Sequence, residues 1–312
     1  MDLRPYIKTR EQLDRGINLI KNKMLSYQPF ILADDIEVGE GMNLHDGYRE
    51  DHFLFDLNAY AKGMDIGQGK QPPDPARFRQ CNQEYRQMYE YVCESIVKNV
   101  GASIENLSFC ELGCNTGLTL FYLALRGAHS CHGIDKNDTH AVFAWLNDIL
   151  GTNVSFSKAS YSNLYHEFEG IDLEPVDVMI NTVFTNHQCD PLQFLCYMCD
   201  RAKTGVFLWV LLSGLADCAI GFPPAQLTPL KTGGAFPLYF NNGVQLSESL
   251  LRVALARLGF EDVRLIDKFV PSEKWDRFQS GFRMFYARRT QPWKSAYWTA
   301  KHGPNLVQKG SK

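Results

Sequence analysis

From Leu107 onward the chain alternates short apolar runs with stretches whose apolar positions recur at helical spacing. "LSFCEL", "HSCHGID", "VSFSKAS", "VDVMINTVF" and "GVFLWVLL" read as five strands. Between them "GLTLFYLALRGA", ending at Gly127, "DTHAVFAWLNDILG", capped by Asp138, and "DPLQFLCYMCDRAK" read as helices. Strands apolar on both faces must be covered on both faces, which implies a parallel sheet between helical layers. Then "SESLLRVALARLGF" reads as a helix with Ser247 as N-cap, and "DVRLIDKF" and "FRMFYARR" as two closing strands. The pattern predicts an α/β fold, a doubly wound seven-stranded Rossmann-like sheet whose last strand is antiparallel.

Before Leu107 the periodicity is different. "TREQLDRGINLIKNKML" places Leu13, Ile17, Ile20 and Met24 near a helical period after a capping Thr9. About fifty residues rich in Gly, Asp and Pro follow, with one short strand-like run, "PFILADDIEV". A proline stop then opens a long helix that runs to about Val100. The expected organisation is a mainly helical N-terminal extension over 1–106 and a core over 107–290. A Gly/Pro/aromatic insertion at 213–246 interrupts the core, and a basic tail covers 291–312.

Composition changes this picture little. An apolar fraction of 45% with 21% charge is that of an ordinary globular protein, and no stretch has the length and apolarity of a membrane helix. The charged N-terminus "MDLRPYIKTREQLDR" does not resemble a signal peptide. Nine cysteines without framework spacing read as reduced thiols, so the expected location is cytoplasmic. Charge is less even. From Arg277 onward there are eight Lys or Arg and no acid, so the preceding chain carries −11. A basic end can follow phosphates, but it is more often a solvated edge, and nucleic acid is the weaker reading.

The chemistry centres on "FCELGCNTG", Phe109 to Gly117. Gly113 and Gly117 stand as G-x-x-x-G between a strand and a helix, where a tight turn presents free backbone N–H groups to a ligand. Asp135, 22 residues past Gly113 at the end of the second strand, is placed to accept from ribose hydroxyls. A dinucleotide site would show G-x-G-x-x-G, but Asn115 stands where the second glycine would approach a pyrophosphate. A nucleoside ligand without phosphates removes that requirement.

These motifs resemble motifs I and II of the class I S-adenosylmethionine-dependent methyltransferases. "VDVMINTVFTNHQCDPLQFL" is similar to that family's fourth-strand segment, with Asp177, His187, Asp190 and Pro191 in register, and "LGFEDVRLID" to its helix end before the sixth strand. The resemblance spans roughly Leu107 to Arg289 and implies S-adenosylmethionine as cofactor. It implies Glu111 near the methionine amino group, the backbone of Gly113, Cys114 and Gly117 along the methionine, and Asp135 on the ribose. Lys136 would lie beside the adenine and Asn181 near the sulfonium. Where the family often carries an adenine-reading acid this chain has "KASYSN", leaving that task to Ser160 or Tyr161. Asn186 replaces the Glu that often precedes the motif's histidine, which speaks against a metal there.

Methyl transfer to a hydroxyl needs a proton acceptor. His187 is the first candidate, set against a structural histidine, and Asp217 in the insertion competes with it. His45, Asp46 and His52 form a loop cluster, but two histidines make a weak metal set. Cys189, Cys196 and Cys199 read as core thiols on or beside a helix. Aromatics of the insertion (Phe222, Phe236, Tyr239, Phe240) and of the extension (Tyr85, Tyr89) are expected to enclose an acceptor, with Tyr60 on the cofactor's open side. The expected activity is methylation of a small organic molecule, a natural-product intermediate or sugar, with an O-acceptor ahead of N. Modification of tRNA or another nucleic acid and an idle partner subunit remain as alternatives, and a homo-oligomer is left open.

Overall fold

The structure, a computed structural model, describes residues 1–22, 24–25, 28–34, 36–39, 54–56, 75–101, 103–162, 167–188, 190–221, 244–271 and 281–293. In chain order the elements begin with α1 (Arg10–Lys21), β1 (Phe30–Ala33), β2 (Ile36–Val38), β3 (Leu54–Asp56) and α2 (Pro75–Val100). β4 (Ser108–Leu112), α3 (Leu118–Leu125), β5 (Ser130–Asp135), α4 (His140–Leu150) and β6 (Ser155–Lys158) follow. Next come β7 (Tyr161–Ser162), β8 (Glu167–Phe168), β9 (Val176–Thr182), α5 (Pro191–Arg201) and β10 (Ala202–Leu211). The last are β11 (Ile220–Gly221), β12 (Gln245–Leu246), α6 (Glu248–Arg257), β13 (Asp262–Ile266) and β14 (Phe282–Arg288).

The main sheet has seven strands in the order β13-β14-β10-β9-β4-β5-β6. β4, β9 and β10 run parallel, as do β5 and β6, while β14 is antiparallel to both β10 and β13. This is the expected doubly wound, Rossmann-like architecture. Burial follows the sequence pattern. Gly205 to Val210 are consecutively buried, as a strand covered on both faces requires. β13 leaves Arg264 and Leu265 exposed and closes the sheet as an edge, its Asp262 and Arg264 paired at 2.8 Å. Charges of this kind keep an edge from recruiting another strand.

By contacts the chain forms two compact units that do not follow chain order. One combines Met1–Lys98 with Cys114–Lys158 and Phe269–Ser280, and the other combines Asn99–Gly113 with Ala159–Lys268 and Gly281–Lys312. In the first, α1 docks on α4. Gly16 lets the helix approach the Trp145 ring, and the indole Nε1 donates to the Gln12 carbonyl at 2.9 Å. Glu37 of β2 is buried and accepts from Asn82 (2.8 Å) and Arg86 (2.7 Å) of α2, so the small sheet is tied to the long helix.

Caps mostly match the pattern. Thr9 and Gln12 form a capping box, and Asp190 and Ser247 accept from the third residue beyond them. Two readings need correction. "PFILADDIEV" is not one strand but the β1–β2 hairpin, to which β3 adds antiparallel; the acids at 34–35 interrupt the apolar run and the chain reverses there. Among the described residues the N-terminal extension holds two helices and a three-stranded sheet, and it is mainly helical as expected. Asp138 is not the cap of α4. Thr139 holds that place without a side-chain bond, and Asp138 accepts from His140, which keeps its carboxyl below the ordinary range.

In the second unit Arg289 closes the end of α5. Its guanidinium donates to the carbonyls of Cys199, Ala202 and Leu258 and stacks 4.3 Å from the Phe260 ring. Arg288 lies over Gly101 and reaches the Asn99 carbonyl at 3.5 Å. Two of the basic residues near the C-terminus thus serve the fold. Arg289→Met is expected to lower stability in urea by about 2–3 kcal/mol, because charged donors on three part-buried carbonyls are lost. An unchanged midpoint would contradict this role.

Candidate cofactor and active site

β4 delivers the chain into a turn with three left-handed residues in five positions: Gly113 (φ 75°), Asn115 (φ 52°) and Gly117 (φ 77°). Glycine is required at both ends for a second reason. A Cβ on Gly113 would stand 2.7 Å from the Phe184 side chain, and one on Gly117 would stand 2.5 Å from the Phe143 ring. Asparagine tolerates the left-handed region between them.

In the first unit the turn is clamped by hydrogen bonds. Cys114 N donates to the Ile134 carbonyl at 3.1 Å, and Gly117 N to the Cys114 carbonyl at 2.8 Å. Asp135 is buried, with Oδ2 accepting from Asn115 N and Oδ1 from Asn137 N, both at 2.9 Å. Thr139 Oγ1 donates to the Asn115 carbonyl at 3.1 Å. Gln28 enters from the N-terminal segment, its Oε1 accepting from Thr116 Oγ1 at 2.6 Å and from Leu118 N at 2.9 Å. Each Asp135 oxygen has more than one lone pair, so the carboxylate is fixed by backbone amides and can still accept from a diol.

The second unit carries the other set. Glu111 is fully buried on β4 and accepts from Thr182 Oγ1 at 2.7 Å. Asn181, fully buried near the end of β9, accepts from Thr185 N (3.2 Å) and Thr185 Oγ1 (2.7 Å). Its Nδ2 has no hydrogen-bond partner among the described residues. Val183 then takes φ 70° before the 3₁₀ turn Phe184–His187, and its N–H donates to the Trp209 carbonyl at 2.7 Å. A β-branched residue in this region costs about 1–3 kcal/mol, a strain the surrounding bonds must offset. The Phe184 ring that backs Gly113 lies 5.3 Å from Phe194, which Tyr161 also meets edge-on at 5.0 Å.

The expected residues are distributed as follows. Cys114, Gly117 and Asp135 meet in the clamped turn, and Lys136 follows on the exposed side. Glu111, Gly113 and Asn181 belong to the second set. Ser160 is exposed, whereas Tyr161 packs in the aromatic cluster, its hydroxyl buried without a partner among the described residues and raised well above the ordinary phenol range by burial. Asp217 is exposed in the segment after β10. His187 ends the 3₁₀ turn, but its side chain lies outside the described residues. Tyr60, His45, Asp46, His52, Cys189, Phe222, Phe236, Tyr239 and Phe240 lie outside them too. Cys196 and Cys199 fall on α5 with thiols pushed up by burial.

Sequence reasoning missed Gln28, Thr116, Thr182 and Phe184. Thr182 had a readable signal, a hydroxyl ending an apolar strand. Gln28 had none, because its partners lie 88 and 90 residues away.

No family model matches the chain. Over 176 residues it is 26% identical to the tRNA U34 carboxymethyltransferase of Vibrio vulnificus (strain YJ016), a match covering 54% of this chain and 49% of that protein. The protein of that name from Vibrio parahaemolyticus serotype O3:K6 matches at the same identity and coverage. The chain thus spans about half the length of the curated relatives it matches. Among solved structures it is similar to magnesium protoporphyrin IX methyltransferase from Synechocystis PCC 6803 with bound SAH. That likeness has a TM-score of 0.46 at 18% identity and covers 71% of this chain and 90% of that one. The N-terminal domain of EvdMO1 with SAH bound gives 0.46 at 15% identity, covering 78% and 100%.

Gly117→Ala is expected to destabilise the protein by about 2 kcal/mol or more, the left-handed penalty plus displacement of Phe143. Gly151→Ala provides the control. It is also left-handed (φ 65°) but has nothing within 4 Å of an added Cβ, and should cost only about 1–2 kcal/mol in the same denaturant titration.

Proposed function

We propose that this chain is an S-adenosylmethionine-dependent methyltransferase acting on a small organic molecule, with a hydroxyl acceptor ahead of an amine. The observation that carries the reading is Asp135, a buried carboxylate at the end of β5, held by two backbone amides beside a glycine turn that has no second glycine for a pyrophosphate.

In this reading Asp135 accepts from the ribose hydroxyls, and the backbone of Gly113, Cys114 and Gly117 lines the methionine. Glu111, braced by Thr182, faces the amino group. Asn181 lies toward the sulfonium, Lys136 and Ser160 or Tyr161 toward the adenine, and Tyr60 toward the open side. The cofactor, when bound, supplies an electrophilic methyl group. The chain's own task is to hold the acceptor in line and take its proton. His187 is the proposed base, with Asp217 as the competing group. The proposed acceptor is a natural-product intermediate or sugar, the class that the aromatic-rich composition of 213–246 would suit.

One observation favours a second reading, modification of tRNA: the 26% match over 176 residues to proteins named tRNA U34 carboxymethyltransferase. A phosphate track would show a steep fall of RNA affinity with salt. Weak, salt-insensitive RNA binding would instead support the small-molecule acceptor.

Calorimetric titration tests the cofactor. The protein is expected to bind S-adenosylmethionine, and Asp135→Ala to weaken binding at least roughly tenfold through loss of charged hydrogen bonds. No binding by the unaltered protein at millimolar ligand would sink the reading. For the base, His187→Ala should lower turnover by roughly 10²-fold or more with cofactor affinity kept. Near-normal turnover would make His187 structural.

A further inference from the structure

We infer that Gln28 is a positioning residue for the cofactor turn, so that the affinity of the turn for its nucleoside ligand is set in part from the N-terminal segment. The inference rests on the methyltransferase reading above and extends it to a residue outside the glycine motif. Gly117 occupies the N-cap of α3 and has no side chain to satisfy the first helical N–H groups. Gln28 supplies the missing acceptor. Its amide oxygen takes the Leu118 N–H at the first helical position and the Thr116 hydroxyl inside the turn, and both Gln28 and Thr116 are buried. One atom thus fixes the turn and the helix start together.

Gln28 is itself held firmly. The Pro29 carbonyl accepts from the Met1 amine at 2.6 Å, and Leu3 N donates to the Ile31 carbonyl at 2.8 Å. Gly39, just past β2, packs against the Pro29 backbone, and the preceding strand is anchored through Glu37 to Asn82 and Arg86. A chain of contacts, polar at its two ends and backbone packing between them, therefore runs from α2 through the β1–β2 hairpin to the turn, all within one compact unit. A cap that merely covered the fold would not require an acceptor aimed at the backbone of the glycine motif.

The test compares Gln28→Leu, which keeps size and removes the acceptor, with Gln28→Glu, which keeps the acceptor beside the positive end of α3. Affinity for S-adenosylhomocysteine and amide exchange at 118–121 without ligand are measured in each. Gln28→Leu is expected to weaken binding and speed exchange by roughly tenfold, the loss of one buried cap, with Gln28→Glu within about threefold of the parent. Unchanged affinity in Gln28→Leu overturns the inference, whether or not exchange changes, and so does a Glu variant as weak as the Leu variant. Should Gln28→Leu fail to fold, Thr116→Val takes its place; a weakening of roughly threefold supports the inference, and parental affinity overturns it. If the unaltered protein binds no S-adenosylhomocysteine, the methyltransferase reading fails. The exchange rates then decide by themselves whether Gln28 sets the turn, with unchanged rates overturning that as well.

Discussion

The structure depends on a turn that only two glycines and a tolerant asparagine can make, and on the buried carboxylate that holds it. Asp135 accepts from Asn115 N, within the turn between β4 and α3, and from Asn137 N, just past β5. A buried carboxylate without such donors would be costly. With them it becomes a fixed anionic acceptor at the end of a parallel strand, where open α/β sheets bind ligands. Moving the turn by one residue would drive a Cβ into Phe184 or Phe143, so the site and the core constrain each other.

The strain in the second unit has the same character. Val183 is left-handed although β-branched, and it stands between Asn181 and the 3₁₀ turn that carries His187. The N–H of Val183 is taken by the Trp209 carbonyl, and the Asn181 oxygen and Glu111 Oε1 accept from hydroxyl donors. What the strain achieves is placement. It turns the chain sharply after β9, so that the buried amide of Asn181 and the 3₁₀ turn Phe184–His187 lie within six residues of each other.

Much of the sheet was legible because its strands are apolar runs of the right length with capped helices between them. The insertion of β14 between β10 and β13 was not, because closing position in the chain leaves the spatial order of the last two strands open. Gly113, Gly117 and Asp135 were legible because backbone geometry leaves little choice at a strand-to-helix turn. The hairpin in "PFILADDIEV" was not, since the apolar run hides its reversal at two acids. Nor was Gln28, whose role exists only through contacts with residues nearly ninety positions away. Periodicity carries local order, and a single polar side chain that closes a remote turn leaves no periodic trace. The acceptor is illegible for a related reason, because the 213–246 segment expected to close over it shows little strand or helix periodicity.

The central claim is that Asp135 and the Gly113–Gly117 turn hold the nucleoside of a sulfonium cofactor. A crystal structure with S-adenosylhomocysteine tests it most directly. The account predicts both ribose hydroxyls on the Asp135 carboxylate, within about 3 Å of its two oxygens. A nucleoside bound elsewhere, or an Asp135 that keeps only its amide partners, would contradict it.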